Sequence, residues 1–289
     1  MIGMRKPKLL LARQFFIFWR NPINLYIIVF VAFFLSSCWS SLREIVHITG
    51  LPANAHGLFS VSFTNGWINL AYSGGAVALL SSIPFLYPNH SQELLRLGQL
   101  RYTLLRLGQI LLISITYTAF LFVCTWLVSG SMLDTSSRWG KVLNSFASGL
   151  FPADLHSIVQ IPLALTQNYT PMQAAGGTAL LFVLVMTSIG WIMFTLSNLF
   201  GREAAILFAS ATSIIDMAVI QLGLGYKMYN FSPWSWVRAD IILDKTNPFI
   251  ADLDTILIII VCTFAISFIL AVLSGISKIA AHKWQHIQI

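Results

Sequence analysis

Six long apolar stretches, separated by short polar breaks, dominate this 289-residue chain. They run Ile23–Ser41, Ile68–Leu86, Leu107–Val128, Gly176–Leu196, Ala204–Leu224 and Thr255–Gly275. Each is about as long as a helix needs to cross roughly 30 Å of hydrocarbon. In lipid every backbone N–H and C=O must be paired inside the segment, which makes helices the economical structure. The chain therefore reads as an all-α, polytopic membrane protein, with one transmembrane domain over residues 1–289. Charged residues make up only 9% of it, against roughly 25% in soluble domains. Six helices and their loops use nearly all of the length, so no separate soluble enzyme domain is expected.

The three cysteines, Cys38, Cys124 and Cys262, fall inside the spans and read as small apolar residues. The first 22 residues are basic but lack the short apolar core and small-residue cleavage site of a secretory signal. The net charge of +7 is distributed as in a membrane protein, not as in a nucleic-acid binder. Arg5, Lys6, Lys8, Arg13, Arg20, Arg96, Arg101, Arg106, Arg202, Lys278 and Lys283 fall on one side of the six-span layout. Arg43, Arg138, Lys141, Lys227, Arg238 and Lys245 are spread over the longer loops of the other side. The positive-inside rule then puts both termini in the cytoplasm, as in a multi-pass protein of the cell membrane. Trp67, Tyr87, Trp126, Trp191 and Trp284 lie near span ends, as interfacial belts require.

The N-terminal arm, residues 5–21, has a second character. Lys6, Arg13 and Arg20 are spaced by seven and line up along one side of a helix, with Leu11, Phe15 and Phe18 opposite. This pattern predicts an amphipathic helix lying at the membrane surface, apolar face in lipid and basic face toward headgroups. Pro22 marks its turn into the first span.

Between spans two and three the sequence reads NHSQELLRLGQLRYTLLRLGQ. Pro84 and Pro88 end span two, and residues 89–106 then form a short charged helix. Gln92, Glu93, Arg96 and Gln99 share its polar side. From pattern alone this is either a docking helix for a cytoplasmic partner or a basic loop that fixes topology.

An interfacial N-terminal helix, six spans, cytoplasmic ends and an acidic residue followed by Arg-x-Gly before span three resemble the ABC-2 type permeases. Glu93, Arg96, Gly98, Arg101 and Gly108 match that family's pattern in kind. The resemblance covers the whole chain in layout (type V exporter-like) and about twenty residues in motif. It implies that Gln92, Glu93, Arg96, Gly98, Gln99 and Arg101 couple the chain to a separate ABC-type ATPase, which would carry the ATP and Mg. It further implies a second permease chain, identical or different, and export of substrate. The loop 129–175 is longer than the family usually has, which makes the extracellular face the distinctive part. The aromatic segment before the last span, NFSPWSWVRADIILDKTNP, corresponds in the family to re-entrant helices capping the path.

Asp216 is the one acid well inside an expected span, with Ala209, Thr212 and Ser213 on the same helical face. A charge at the centre of a span costs about 2.5–3.5 kcal/mol on insertion scales and usually faces protein or water. Thr212, Ser213 and Asp216 are therefore candidates for a substrate path or a subunit interface. Span five could instead be shifted, leaving Asp216 near the outer surface. Gly74, Ala78 and Ser82 form a small-residue stripe that suits close helix packing. There is no GxxxxGK[ST] loop, HExxH motif or GxSxG elbow, so ATP hydrolysis is expected on a partner and no cofactor in this chain. His282 and His286 read as part of a basic tail and not as a metal site. The leading expectation is the permease subunit of an ATP-driven exporter of an amphipathic peptide, lipid or drug-like molecule. The alternatives are a proton-coupled transporter using Asp216 and a non-transporting sensor or scaffold.

Overall fold

The computed structural model describes residues 7–83, 99–129, 133–134, 136–150, 161–222, 226–243 and 253–285. Lys6, Gln92, Glu93, Arg96 and Gly98 lie outside them, as do residues 151–160 of the long third loop. The described chain is almost wholly helical. Helix α1 (Pro7–Arg20) meets α2 (Pro22–Cys38) at a bend of 63°. Pro22 has no N–H to give α1 and holds Asn21 in extended backbone, while the Asn21 side chain caps α2 by accepting from Ile23 N at 3.1 Å. Helix α3 (Ser40–Thr49) ends at Gly50, whose φ of 62° is the left-handed stop that glycine adopts at low cost.

The segment expected to be an outer loop before span two is folded. Strand β1 (Ala53–Asn54) leads into α4 (Ala55–Ser62), followed by α5 (Gly66–Ser81). Two asparagines set these boundaries. Asn54 Oδ1 accepts from Gly57 N at 3.0 Å, and Asn65 Oδ1 accepts from Trp67 N and Ile68 N at 2.9 and 3.1 Å. Apart from half-buried His56, every residue of α4 is buried, because the helix inserts between later helices instead of lying at a surface.

Helix α6 (Gln99–Ser129) is unbroken over 31 residues, so residues 99–106, assigned from sequence to a separate short helix, are the first turns of the third apolar helix. After it, β2 (Leu133–Asp134) pairs in parallel with β1, and Asn54 Nδ2 donates to the carbonyls of Ser136 and Arg138 at 2.8 and 2.9 Å. The third loop also holds α7 (Gly140–Ala147) and α8 (Leu163–Asn168). Helix α9 (Pro171–Phe200) starts before the expected Gly176, because Thr170 and Gln173 form a capping box with Pro171 at the first helical position. Gly201, at φ 95°, turns the chain into α10 (Arg202–Gln221). Two 3₁₀ helices, Tyr226–Phe231 and Pro233–Val237, and the single turn α11 (Ala239–Ile242) precede α12 (Leu253–Gln285).

Among the described residues, three helices are long and apolar enough to cross a membrane: Leu100–Leu127, Pro171–Phe200 and Asp254–Gly275. Counting the bent α1–α2 pair as one span makes four. The other two expected spans correspond to α5, which is 16 residues long, and to α10, which carries Arg202, Glu203 and Asp216. The long apolar helices are those of a membrane-embedded protein.

Helix α9 is the centre of the bundle and packs against α12, α10, α4 and α6; α5 packs against α10 and α2. Phe63, Phe182 and Trp234 form a chain of ring contacts at 5.2 and 5.7 Å that joins α4, α9 and the second 3₁₀ helix. Tyr117 Oη donates to the Tyr72 carbonyl at 3.1 Å, tying α6 to α5. A Cβ at Gly75 would collide with Tyr117 Oη and Val31, whereas Gly74 has open space beside it. The close-packed position on α5 is thus one residue past the Gly74 stripe, although Ser82 does reach Asn24 Oδ1 of α2 at 2.7 Å. Three buried hydroxyls of α6 are satisfied within the helix: Ser114, Thr118 and Thr125 donate to carbonyls four residues earlier at 2.8–3.0 Å. Trp191, placed from sequence in an interfacial belt, is buried instead. Its Nε1 donates to the Leu107 carbonyl at 3.2 Å and its ring lies 4.5 Å from Phe264. Trp67 and Trp126 are exposed, as a belt requires.

Candidate functional site

The charged cluster of the bundle forms where the chain after α10 folds back between helices. Asp216 lies in the last two turns of α10, about 21 Å along the axis from Arg202 at 1.5 Å per residue. It faces inward and is 3% exposed. The segment after it bends back because Pro233 and the short 3₁₀ turns keep it from extending α10. Trp234 anchors it, fully buried against Phe182, with its Nε1 donating to Thr212 Oγ1 at 3.3 Å.

That anchoring aims Arg238 at Asp216. Arg238 Nη1 donates to Asp216 Oδ2 at 3.2 Å and Oδ1 at 3.4 Å. Its Nη2 donates to Asp240 Oδ2 at 2.7 Å and to the Thr64 carbonyl at 3.4 Å, and its Nε to Asp240 Oδ1 at 3.3 Å. The fork across Asp240 is bidentate, the geometry in which guanidinium and carboxylate bind most strongly. The guanidinium also lies 5.5 Å from the centre of the Tyr229 ring. From α5, Asn69 Nδ2 donates to Asp216 Oδ2 at 2.9 Å. Four separate parts of the chain thus converge on one buried ionic cluster: the α4–α5 turn, α5, α10 and the segment 229–240.

The electrostatics stem from burial. Desolvation raises the Asp240 carboxyl above its ordinary value, with Arg238 opposing that rise. Desolvation alone would lower the Arg238 guanidinium. The charges of Asp240 and Asp216 outweigh it and leave the group raised and permanently protonated. Such a cluster can hold the returning segment in place, and it can carry a charge change. Among the described residues no group of three or more His, Cys, Asp or Glu could hold a metal ion.

Of the residues singled out from sequence, Thr212, Ser213 and Asp216 all face inward within this chain. Thr212 supports Trp234, and Ser213 Oγ donates to the Ala209 carbonyl at 3.4 Å. Arg101 is exposed near the start of α6; for Gln99 and Arg13 only the helical backbone is described. Arg20 is exposed beside the Phe16 ring. The apolar side of α1 is not all in lipid as expected: Phe18 is 3% exposed and Phe15 packs on the core, while Phe16 and Ile17 point outward. Arg106, counted from sequence as a loop charge, is 1% exposed. It donates to Gln14 Oε1 of α1 at 3.3 Å and Gln109 Oε1 at 2.8 Å, and sits 5.0 Å over the Tyr102 ring.

Sequence reasoning missed Arg238, Asp240 and Asn69. A usable signal was present: in a chain with 9% charged residues, Asp216 needs a cation, and Arg238 comes 22 residues later behind an aromatic anchor. A comparison with protein-family models, curated proteins and solved structures finds no match for this chain.

Proposed function

We propose that the chain is the membrane-spanning permease subunit of an ATP-driven exporter of the ABC-2 type. It would move an amphipathic peptide, lipid or drug-like molecule out of the cell. It would work as a homo- or heterodimer of permease chains in the cell membrane, with both termini in the cytoplasm. A separate ATPase would carry ATP and Mg and bind at Gln92, Glu93, Arg96, Gly98, Gln99 and Arg101. The observation that carries this reading is the unbroken helix α6. It runs from Gln99 into the centre of the bundle and is tied to α1 through Arg106 and Gln14. A push on the segment before Gln99 would reach the core without an intervening hinge. The 63° bend between α1 and α2, and the short helices folded back before α12, also suit the layout of that family.

The test is purification of the chain in mild detergent, with mass spectrometry of co-purifying proteins and an ATPase assay. A stoichiometric nucleotide-binding subunit is expected. In the Glu93→Ala/Arg96→Ala double variant, ATP turnover should persist while transport is lost. A chain that purifies alone without turnover would overturn the reading, and so would a double variant with unchanged ATPase association and transport.

A further inference from the structure

Among the described residues, the cluster around Arg238 contains two carboxylates and one guanidinium, so with all three ionised these groups carry a net charge of −1. The Arg238 and Asp216 side chains are 5% and 4% exposed and that of Asp240 is 13% exposed. An unbalanced charge at such a depth is costly, and the usual remedy in proteins is to gain a proton. Among the described residues, the groups facing the cluster from neighbouring elements are neutral. Helix α5 contributes the neutral Asn69, the α4–α5 turn the Thr64 carbonyl, and α10 the hydroxyls of Thr212 and Ser213 beside Asp216. The 3₁₀ helix Tyr226–Phe231 contributes the Tyr229 ring, and Lys227 on the same helix is exposed.

A second, independent feature points the same way. Asn69 is 1% exposed, and its Nδ2 already serves Asp216. Its Oδ1, on the same carbon, accepts no hydrogen bond. A primary amide turned by half a rotation exchanges donor for acceptor at almost the same point. A proton on Asp216 Oδ2 would therefore meet an acceptor that is idle in the unprotonated arrangement.

We propose that this cluster is a binding site for one proton, shared by Asp216 and Asp240 and read by the Asn69 amide, and that loading it locks residues 226–243 onto α5 and α10. Hydronium gives up the proton and leaves as water; one carboxylate O–H bond forms, and the cluster passes from net −1 to neutral. The unloaded cluster is the strained state, from which the returning segment lifts more easily. The rise of the Asp240 carboxyl caused by burial is consistent with this direction. Proton binding needs the cluster alone and is independent of whether an ATPase partners the chain.

The experiment is infrared difference spectroscopy on the full-length protein in lipid nanodiscs, between about pH 8 and pH 5. A C=O stretch of a buried, protonated carboxylic acid should grow on acidification. It should disappear in Asp216→Asn or Asp240→Asn. It should move to higher frequency in Asn69→Leu, which keeps both acids but removes the acceptor. Absence of the band in the wild type overturns the proposal without any variant, and a band unmoved by Asn69→Leu removes the amide from it. A parallel series with added sodium separates the two small cations. If sodium abolishes the wild-type band, the site takes a metal cation and the proton assignment fails.

Discussion

Two arginines are buried among the described residues, one near the start of α6 and one in the segment that folds back after α10, and they are held in different ways. Arg106, near the start of α6, has among its contacts the amide oxygens of Gln14 and Gln109 and the face of Tyr102. Arg238 is gripped by full charges, Asp240 at 2.7 Å and Asp216 at 3.2 Å. Amide ligands can be exchanged for water or for one another at modest cost. A buried ion pair cannot be opened without leaving a charge bare. One site is thus suited to sliding with α1, and the other to staying shut until its charge changes.

Replacing each arginine would break this contrast most directly. Arg238→Ala leaves two buried carboxylates facing each other and should cost about 3–5 kcal/mol, the range for breaking a buried pair. It should be read as a large fall in the thermal midpoint in detergent. Arg106→Leu removes the hydrogen bonds to the Gln14 and Gln109 amides and should cost less, roughly 1.5–3 kcal/mol. Equal losses in the two variants would erase the distinction. The smallest expected effect is on pH dependence. Because burial raises the Asp240 carboxyl in the folded protein above its ordinary 3.8, the folded state binds its proton more tightly than the unfolded state does. The stability this group contributes is then present in acid and is lost as pH rises through the raised value. Relative to Asp240→Asn, the wild type should therefore gain stability on mild acidification, as read by paired melts. A relative gain toward alkaline pH would reverse the assigned sign.

How far the sequence could be read differs between elements for physical reasons. Hydropathy located the apolar helices, because burying backbone in lipid demands long unbroken runs. It could not rank them. Helix α9 and helix α12 are both strongly apolar, yet the best 18-residue window of the first is 67% buried and that of the second 22%. The difference lies in small and hydroxyl-bearing residues: Gly190 on α9 lets Ile110 and Leu80 approach, while α12 turns Ile258, Val261 and Ile269 outward. Such residues favour close helix contact in lipid, where apolar surface alone does not drive association. Helix α4 was missed because eight residues are too few for a periodic signal, although its Asn54 cap was in view. The Arg238 cluster was half legible. Asp216 stood out by its place in an apolar run, but its partners come from a segment whose path is set by tertiary packing. Gln92, Glu93, Arg96 and Gly98 lie outside the described residues, and for them the sequence pattern and the family resemblance are what there is.

The small clasp between β1 and β2 bears on how the protein is made. Asn54 at the mouth of α4 is satisfied by carbonyls 82 and 84 residues downstream. At the usual 5–20 residues per second, the ribosome needs roughly 4–16 s to deliver them. Through that interval α4 has neither its clasp nor α9, the helix it is wedged against. The first third of the chain must therefore wait in the bilayer half-assembled, its buried helix held in reserve. Assembly is completed from the carboxyl side inward, so a truncation behind α6 would strand α4 as well as delete the later helices.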